Sequence, residues 1–141
     1  MNVPETAMTA AARKAAEVLR QDGHEALWAG GCVRDLIMGR TPNDIDIATS
    51  AVPDRVLDLF PGSVAVGRSF GVVRVPVDGE WFEVATFRED RGYVDGRHPS
   101  AIVFSDAPTD ASRRDFTINA LFYDPAADRI HDYVDGHLDI D

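Results

Sequence analysis

Two acids, Asp44 and Asp46, stand one residue apart in Asn43-Asp44-Ile45-Asp46-Ile47-Ala48, shortly after the run Gly30-Gly31-Cys32-Val33-Arg34-Asp35. In an extended chain, residues i and i+2 point to the same side. Both carboxylates would then face one way, with Ile45 and Ile47 entering a core on the other. Two anionic oxygen donors this close repel each other unless a cation lies between them. Magnesium suits such a pair, because it takes one or two carboxylates, keeps waters and completes its shell with phosphate oxygens. Glycines just upstream let backbone N–H groups approach phosphate closely, and the start of the following helix adds partial positive charge. Arg34, one turn into that helix, can add a charge-assisted fork. Together these residues suggest chemistry on a nucleoside triphosphate.

Each feature also has a plainer reading. Gly30-Gly31 alone fits an ordinary strand-to-helix turn, with Arg34 paired to a surface acid. Asp44 and Asp46 alone fit a solvated acidic loop after Pro42. Glu83, a third acid in a β-rich run with Trp81, Ala85 and Phe87 on its face, is either a further metal ligand or the partner of Arg74 across a hairpin. In Arg113-Arg114-Asp115-Phe116-Thr117-Ile118-Asn119, the i, i+4 pair Asp115 and Asn119 shares a helix face. That face can read ribose hydroxyls while an arginine meets phosphate, or it carries ordinary surface ion pairs.

The positioning elements follow from local pattern. Residues 4–22 read as an amphipathic helix stopped by Gly23, residues 25–29 as a short strand, and residues 32–38 as a helix ended by Gly39. A strand over 44–48 carries the acid pair, and Pro53 opens a short helix through Phe60. Residues 72–77 and 81–87 flank Asp78-Gly79, a hairpin signal, and Pro76 places a free edge near the end of the first strand. Residues 88–108 read mostly as loop with a short strand at 101–104. Arg88, Arg91, Arg97 and Tyr93 there fit either nucleic-acid contact or a plain surface loop. Asp110 would cap a helix starting at Ala111, and residues 130–134 form a last strand.

The bulk properties bound the partners. A chain of 141 residues is one domain with room for its own core. Fourteen basic against twenty-four acidic residues give a net charge of −10, the wrong sign for gripping a nucleic-acid backbone unaided. No apolar run approaches a membrane span, and no signal peptide is recognisable. The single cysteine, Cys32, excludes an internal disulfide, fits a cytoplasmic setting and reads as a small packing residue. The histidines show no zinc spacing with it.

Taken together, the motifs resemble the head domain of the class II tRNA nucleotidyltransferases (CCA-adding enzymes) and the related bacterial poly(A) polymerases. Leu27 to Asp35 with Gly39 to Thr49 resembles the family's catalytic motif. Arg113 to Leu121 resembles its second motif, and Asp132-Tyr133-Val134-Asp135-Gly136 the acidic-glycine motif that follows. The resemblance implies an α/β (α+β) fold of the DNA polymerase beta-like nucleotidyltransferase type, a small mixed sheet flanked by helices. Residues 1–24 would be the N-terminal helix of the head and 25–141 the nucleotidyltransferase domain.

It implies Mg2+ held by Asp44, Asp46 and Glu83 as catalytic acids. Gly30, Gly31 and Arg34 would bind triphosphate, while Arg114, Asp115 and Asn119 contact the nucleotide and ribose. The segment near 88–104 resembles the family's flexible loop. The partners implied are CTP, ATP and the 3′ end of tRNA or another RNA, with RNA held mainly by neck, body and tail regions outside this sequence, which reads as a piece of something longer. Ser69 in Val66-Gly67-Arg68-Ser69-Phe70 departs from the second basic residue usual in bacterial poly(A) polymerases and favours tRNA end synthesis. Poly(A) addition and a non-catalytic nucleotide-binding module of the same fold are the alternatives.

Overall fold

The computed structural model describes residues 3–67, 71–93, 99–104, 106–112 and 121–132. The chain opens with helix α1 (Ala7–Gln21), started by a reciprocal cap in which the Thr9 N–H donates to Thr6 Oγ1 (3.1 Å) and the Thr6 N–H to Thr9 Oγ1 (2.8 Å). Its buried side is Ala11, Ala12, Ala15, Ala16 and Leu19, mostly small residues that let the helix lie close on a sheet. Strand β1 (Ala26–Ala29), helix α2 (Gly31–Ile37), strand β2 (Asp46–Thr49) and helix α3 (Pro53–Leu59) follow. Next come β3 (Val64–Gly67), β4 (Val72–Val77), β5 (Glu80–Thr86), β6 (Arg88–Tyr93), β7 (Pro99–Phe104), α4 (Ala107–Ser112), β8 (Leu121–Asp124) and β9 (Arg129–Asp132).

Seven strands form one mixed sheet in the order β3-β4-β5-β2-β1-β8-β9, and β6 and β7 pair separately. Only β2 and β5 run parallel among the pairs of the large sheet. Its inner face, with Trp28, Ile45, Ile47, Val73, Val75, Phe82, Val84 and Tyr123, packs on α1, α2 and α3. The opposite face is covered in part by α4, where Ala107 and Ala111 meet Leu27, Ala29, Ala48, Phe87 and Phe122. Among the described residues, no further element covers the rest of that face.

The hairpin expected at Asp78-Gly79 is present, with φ of 51° and 83° at the two turn residues, as a right-twisted two-residue turn requires. Pro76 lies past the last β3 partner, since β3 begins at Val64 opposite Arg74, so no ladder bond is lost on that side.

Several expectations are corrected. Strand β2 begins at Asp46, not at 44, because β1 ends at Ala29 opposite Asp46 and then turns away into Gly30. Asp44 therefore precedes the strand. Residues 88–93 and 99–104 are a β-ribbon, not loop, in which Arg88 pairs with Phe104 and Tyr93 with Pro99, so each strand is set by its partner and not by a pattern of its own. Strand β3, absent from the expected elements, is an edge strand with Val64 and Val66 exposed. The helix expected from Ala111 is α4, which starts at Ala107 and contains Asp110. Asp110 lies inside that helix rather than before it, and its carboxylate, 1% exposed, accepts the Arg88 N–H at 2.9 Å. The last strand ends at Asp132 within the described residues.

Candidate active site

Asp46 opens β2 with Ile45 and Ile47 fully buried on either side, so its carboxylate is turned to the open face by the packing of its neighbours. Glu83 is its register partner on the parallel strand β5. Adjacent strands lie about 4.8 Å apart, which sets the two acids side by side. Glu83 is exposed on that face, with Trp81 and Ala85 each two residues away along β5 and Phe87 buried further along in the cluster with Ala107 and Ala111.

Ala29, Ala48, Ala85 and Val72 form a low floor beside the acids, and an open cavity of about 170 Å³ spans Ala29, Asp46, Ile47, Ala48, Val72, Glu83 and Ala85. This run of alanines went unread in the sequence, although small residues two apart beside acids are the signal that would have found it. Small side chains here leave room above the sheet for a substrate.

The glycine turn closes one side. Gly30 has φ 78° and ψ −150°, a region open essentially to glycine alone. A Cβ there would lie 3.2 Å from Asp46 Oδ2, so turn and carboxylate are in close approach. Arg34 folds back along α2, its Nη2 3.6 Å from the position of a Cβ on Gly31. Among the described residues no acid pairs with Arg34, which leaves its guanidinium to solvent beside the turn.

Cys32 lies beneath. It is buried, and its thiol donates to the Ala29 carbonyl at 3.1 Å. Burial pushes its pKa up to about 12; the Asp46 N–H opposes this, and the negative charges of Asp46, Asp35 and Asp44 add to the rise. A thiol so held is a packing group, as its place in the sequence suggested. Asp44 stands outside the strand, two residues before its first residue, Asp46, and is exposed.

The alternative pairing of Glu83 with Arg74 is not found. The two face each other across β4 and β5, but the guanidinium lies over the Trp81 ring, 5.4 Å from its centroid. Among the described residues Glu83 has no ion pair.

Gly30, Gly31, Arg34, Asp46 and Glu83 thus converge, with Asp44 at the approach to β2. Arg114, Asp115 and Asn119 lie outside the described residues, as do Arg68, Ser69, Phe70, Arg97 and residues 133–136. Among the described residues no three His, Cys, Asp or Glu side chains close into a metal cage. Two or three carboxylates on an open face suit a hard divalent cation that keeps waters and shares phosphate oxygens with its substrate. They do not suit zinc, which wants a closed nitrogen and sulfur set in structural sites.

The sequence pattern described as "Poly A polymerase head domain" matches residues 26–141. The chain belongs to that family. A CCA-adding enzyme of Staphylococcus aureus (strain MRSA252) is 45% identical over 130 residues, covering 92% of this chain and 32% of the relative. The crystal structure of the Bacillus stearothermophilus CCA-adding enzyme in complex with CTP superposes with a TM-score of 0.84 at 36% identity, covering 96% of this chain and 32% of that one. The Thermotoga maritima CCA-adding enzyme complexed with tRNA has the same fold, with a TM-score of 0.72 at 24% identity over 97% of this chain and 32% of its own. The head domain therefore spans about a third of the length of these relatives. Its mixed sheet with helices is the DNA polymerase beta-like nucleotidyltransferase fold. No helix of the described residues is long and apolar enough to cross a membrane.

Proposed function

We propose that this chain is the catalytic head of a template-independent RNA nucleotidyltransferase that builds the CCA end of tRNA. CMP and AMP are transferred from CTP and ATP to a 3′-hydroxyl, and pyrophosphate leaves. The observation that carries this reading is the lateral pair Asp46 and Glu83, standing over a floor of alanines beside the Gly30-Gly31 turn. Likeness to CCA-adding enzymes, one of them in complex with CTP, supports the same substrate class.

In this reading Asp44, Asp46 and Glu83 hold magnesium, which when bound lowers the pKa of the attacking hydroxyl and neutralises charge on the triphosphate. The Gly30-Gly31 backbone and the Arg34 guanidinium bind the phosphates and orient the α-phosphorus for in-line attack. Arg114, Asp115 and Asn119 contact the nucleotide and its ribose, an assignment that rests on their motif alone. Residues 1–24 serve as the N-terminal helix of the head; α1 supports this by sharing the main core with β1 and β5. RNA is held largely by neck, body and tail regions like those of longer relatives. The work is done in the cytoplasm, where a lone thiol such as Cys32 stays reduced.

The test is product analysis. A tRNA lacking its three terminal nucleotides, incubated with the protein, magnesium, CTP and ATP, is expected to gain CCA. A ladder of A alone would assign poly(A) addition instead. Absence of product from a protein that still binds magnesium-CTP would assign a nucleotide-binding module.

A further inference from the structure

The open face carries a second group of residues that the acids and the glycine turn do not use. Trp81 precedes Glu83 by two residues on β5, so it shares that face about 7 Å away along the strand. Its indole is 45% exposed, an unusual setting for the largest side chain in a small domain. Pro76 stands directly opposite on β4, and Arg74, opposite Glu83, stretches diagonally so that its guanidinium covers part of the ring at 5.4 Å. Val64, 54% exposed, is the next partner outward, opposite Arg74 on the edge strand. A belt of flat and apolar surface with one cation at its centre thus runs from Glu83 to the sheet edge.

Strand order says what meets this belt. The Gly30-Gly31 turn and Arg34 extend from β1, on one side of the Asp46 and Glu83 pair; β4 and β3 lie on the other. A triphosphate held at the turn fills the first side. The nucleophile must then reach the α-phosphate from the second. We propose that Trp81 and Arg74 form a stacking shelf for the unpaired 3′-terminal bases of the acceptor RNA. Indole and guanidinium planes accept any base by its face, without reading its sequence. Arg74 also supplies positive charge on the β4 side of the acids, in a chain whose net charge of −10 otherwise disfavours an incoming phosphodiester. The shelf is one nucleotide's reach from Glu83, which places a stacked base close enough to present its hydroxyl. This inference rests on the nucleotidyl-transfer reading above.

The chain holds two tryptophans, and Trp28 is fully buried, so quenching of emission by a short RNA reports on Trp81. The probe is a single-stranded tetranucleotide ending in 3′-deoxycytidine, which binds without reacting. Stacking predicts saturable quenching in the wild type; read by anisotropy of a 5′-fluorescein-labelled copy of the same RNA, it predicts a loss of affinity of about tenfold in Trp81→Ala and substantial rescue in Trp81→Phe. Arg74→Ala is expected to weaken binding and to flatten its salt dependence. The emission of Trp28 checks that each variant is folded. No quenching up to millimolar RNA overturns the shelf, as does equal affinity in Trp81→Ala. Concentration-dependent self-association that buries Trp81 without RNA overturns it too, and assigns the belt to a second copy of the chain. Titration of the same wild-type sample with magnesium-CTP tests the underlying reading separately, because loss of nucleotide binding leaves the RNA result unaffected.

Discussion

Gly30 shows how much depends on one missing methyl group. Its backbone lies in a region where a side chain costs about 1–3 kcal/mol, and a Cβ would crowd Asp46 Oδ2 at 3.2 Å. Gly30→Ala is therefore expected to lose stability and also to weaken magnesium-CTP binding by displacing the carboxylate. Gly79, with φ +83° and nothing within 4 Å of its would-be Cβ, provides the control. Gly79→Ala should carry the strain alone, so urea unfolding moves in both variants and nucleotide titration in only the first. Cys32 gives a chemical readout of the same corner. With its pKa pushed up to about 12, mainly by burial, it holds almost no thiolate at pH 8. Iodoacetamide should label it in urea and leave the native protein unlabelled over the same interval; rapid native labelling would show that the turn above it opens.

At the scale of elements, the tie between α1 and α3 is electrostatic as well as apolar. Asp22, at the end of α1, accepts two bonds from Arg55 at 2.7 and 2.6 Å and lies 3.1 Å from His24 Nε2. Arg55, above all by its hydrogen bond, lowers the Asp22 pKa to about 2. A carboxylate depressed in the folded state stabilises it above the unfolded value near 4, and this contribution fades as pH falls through about 2. Asp22→Asn should thus be less stable than wild type at pH 6, with the gap closing between pH 4 and 2. Because the pair is exposed, the gap should also narrow in high salt. Asp110 is the opposite case, a buried acid holding the start of β6. Asp110→Ala should cost about 1–3 kcal/mol, read as a fall in the unfolding midpoint, and Asp110→Asn less, since an amide oxygen still accepts the Arg88 N–H.

Elements with a local signature were legible in the sequence. The Asp78-Gly79 hairpin, Pro53 at the start of α3 and the small-residue stripe of α1 are encoded within a few residues. What was not legible depends on partners far along the chain. Asp44 falls outside β2 because β1 turns away after Ala29. Strand β3 exists because β4 offers it an edge, and Asp110 faces inward because β6 begins above it. The same division holds at the site. The acids and glycines were readable as a motif, while their lateral pairing and the alanine floor came from the β2–β5 register.

For the whole molecule, the arrangement is a sheet with one face given to the core and the other left partly open for chemistry. The acids sit at its middle strands, with the glycine turn on one flank and the exposed belt of β3 to β5 on the other. A net charge of −10 is the wrong sign for gripping a nucleic-acid backbone unaided, in keeping with the proposal that a cation handles the nucleotide while other surfaces hold most of the RNA. The decisive measurement is calorimetric titration of the chain with CTP and with ATP, with and without magnesium, beside the double variant Asp44→Ala/Asp46→Ala. Binding that requires magnesium and disappears in the folded variant is the expected result. Binding that ignores magnesium, or persists undiminished without the two carboxylates, would contradict a metal-dependent nucleotide site on this face.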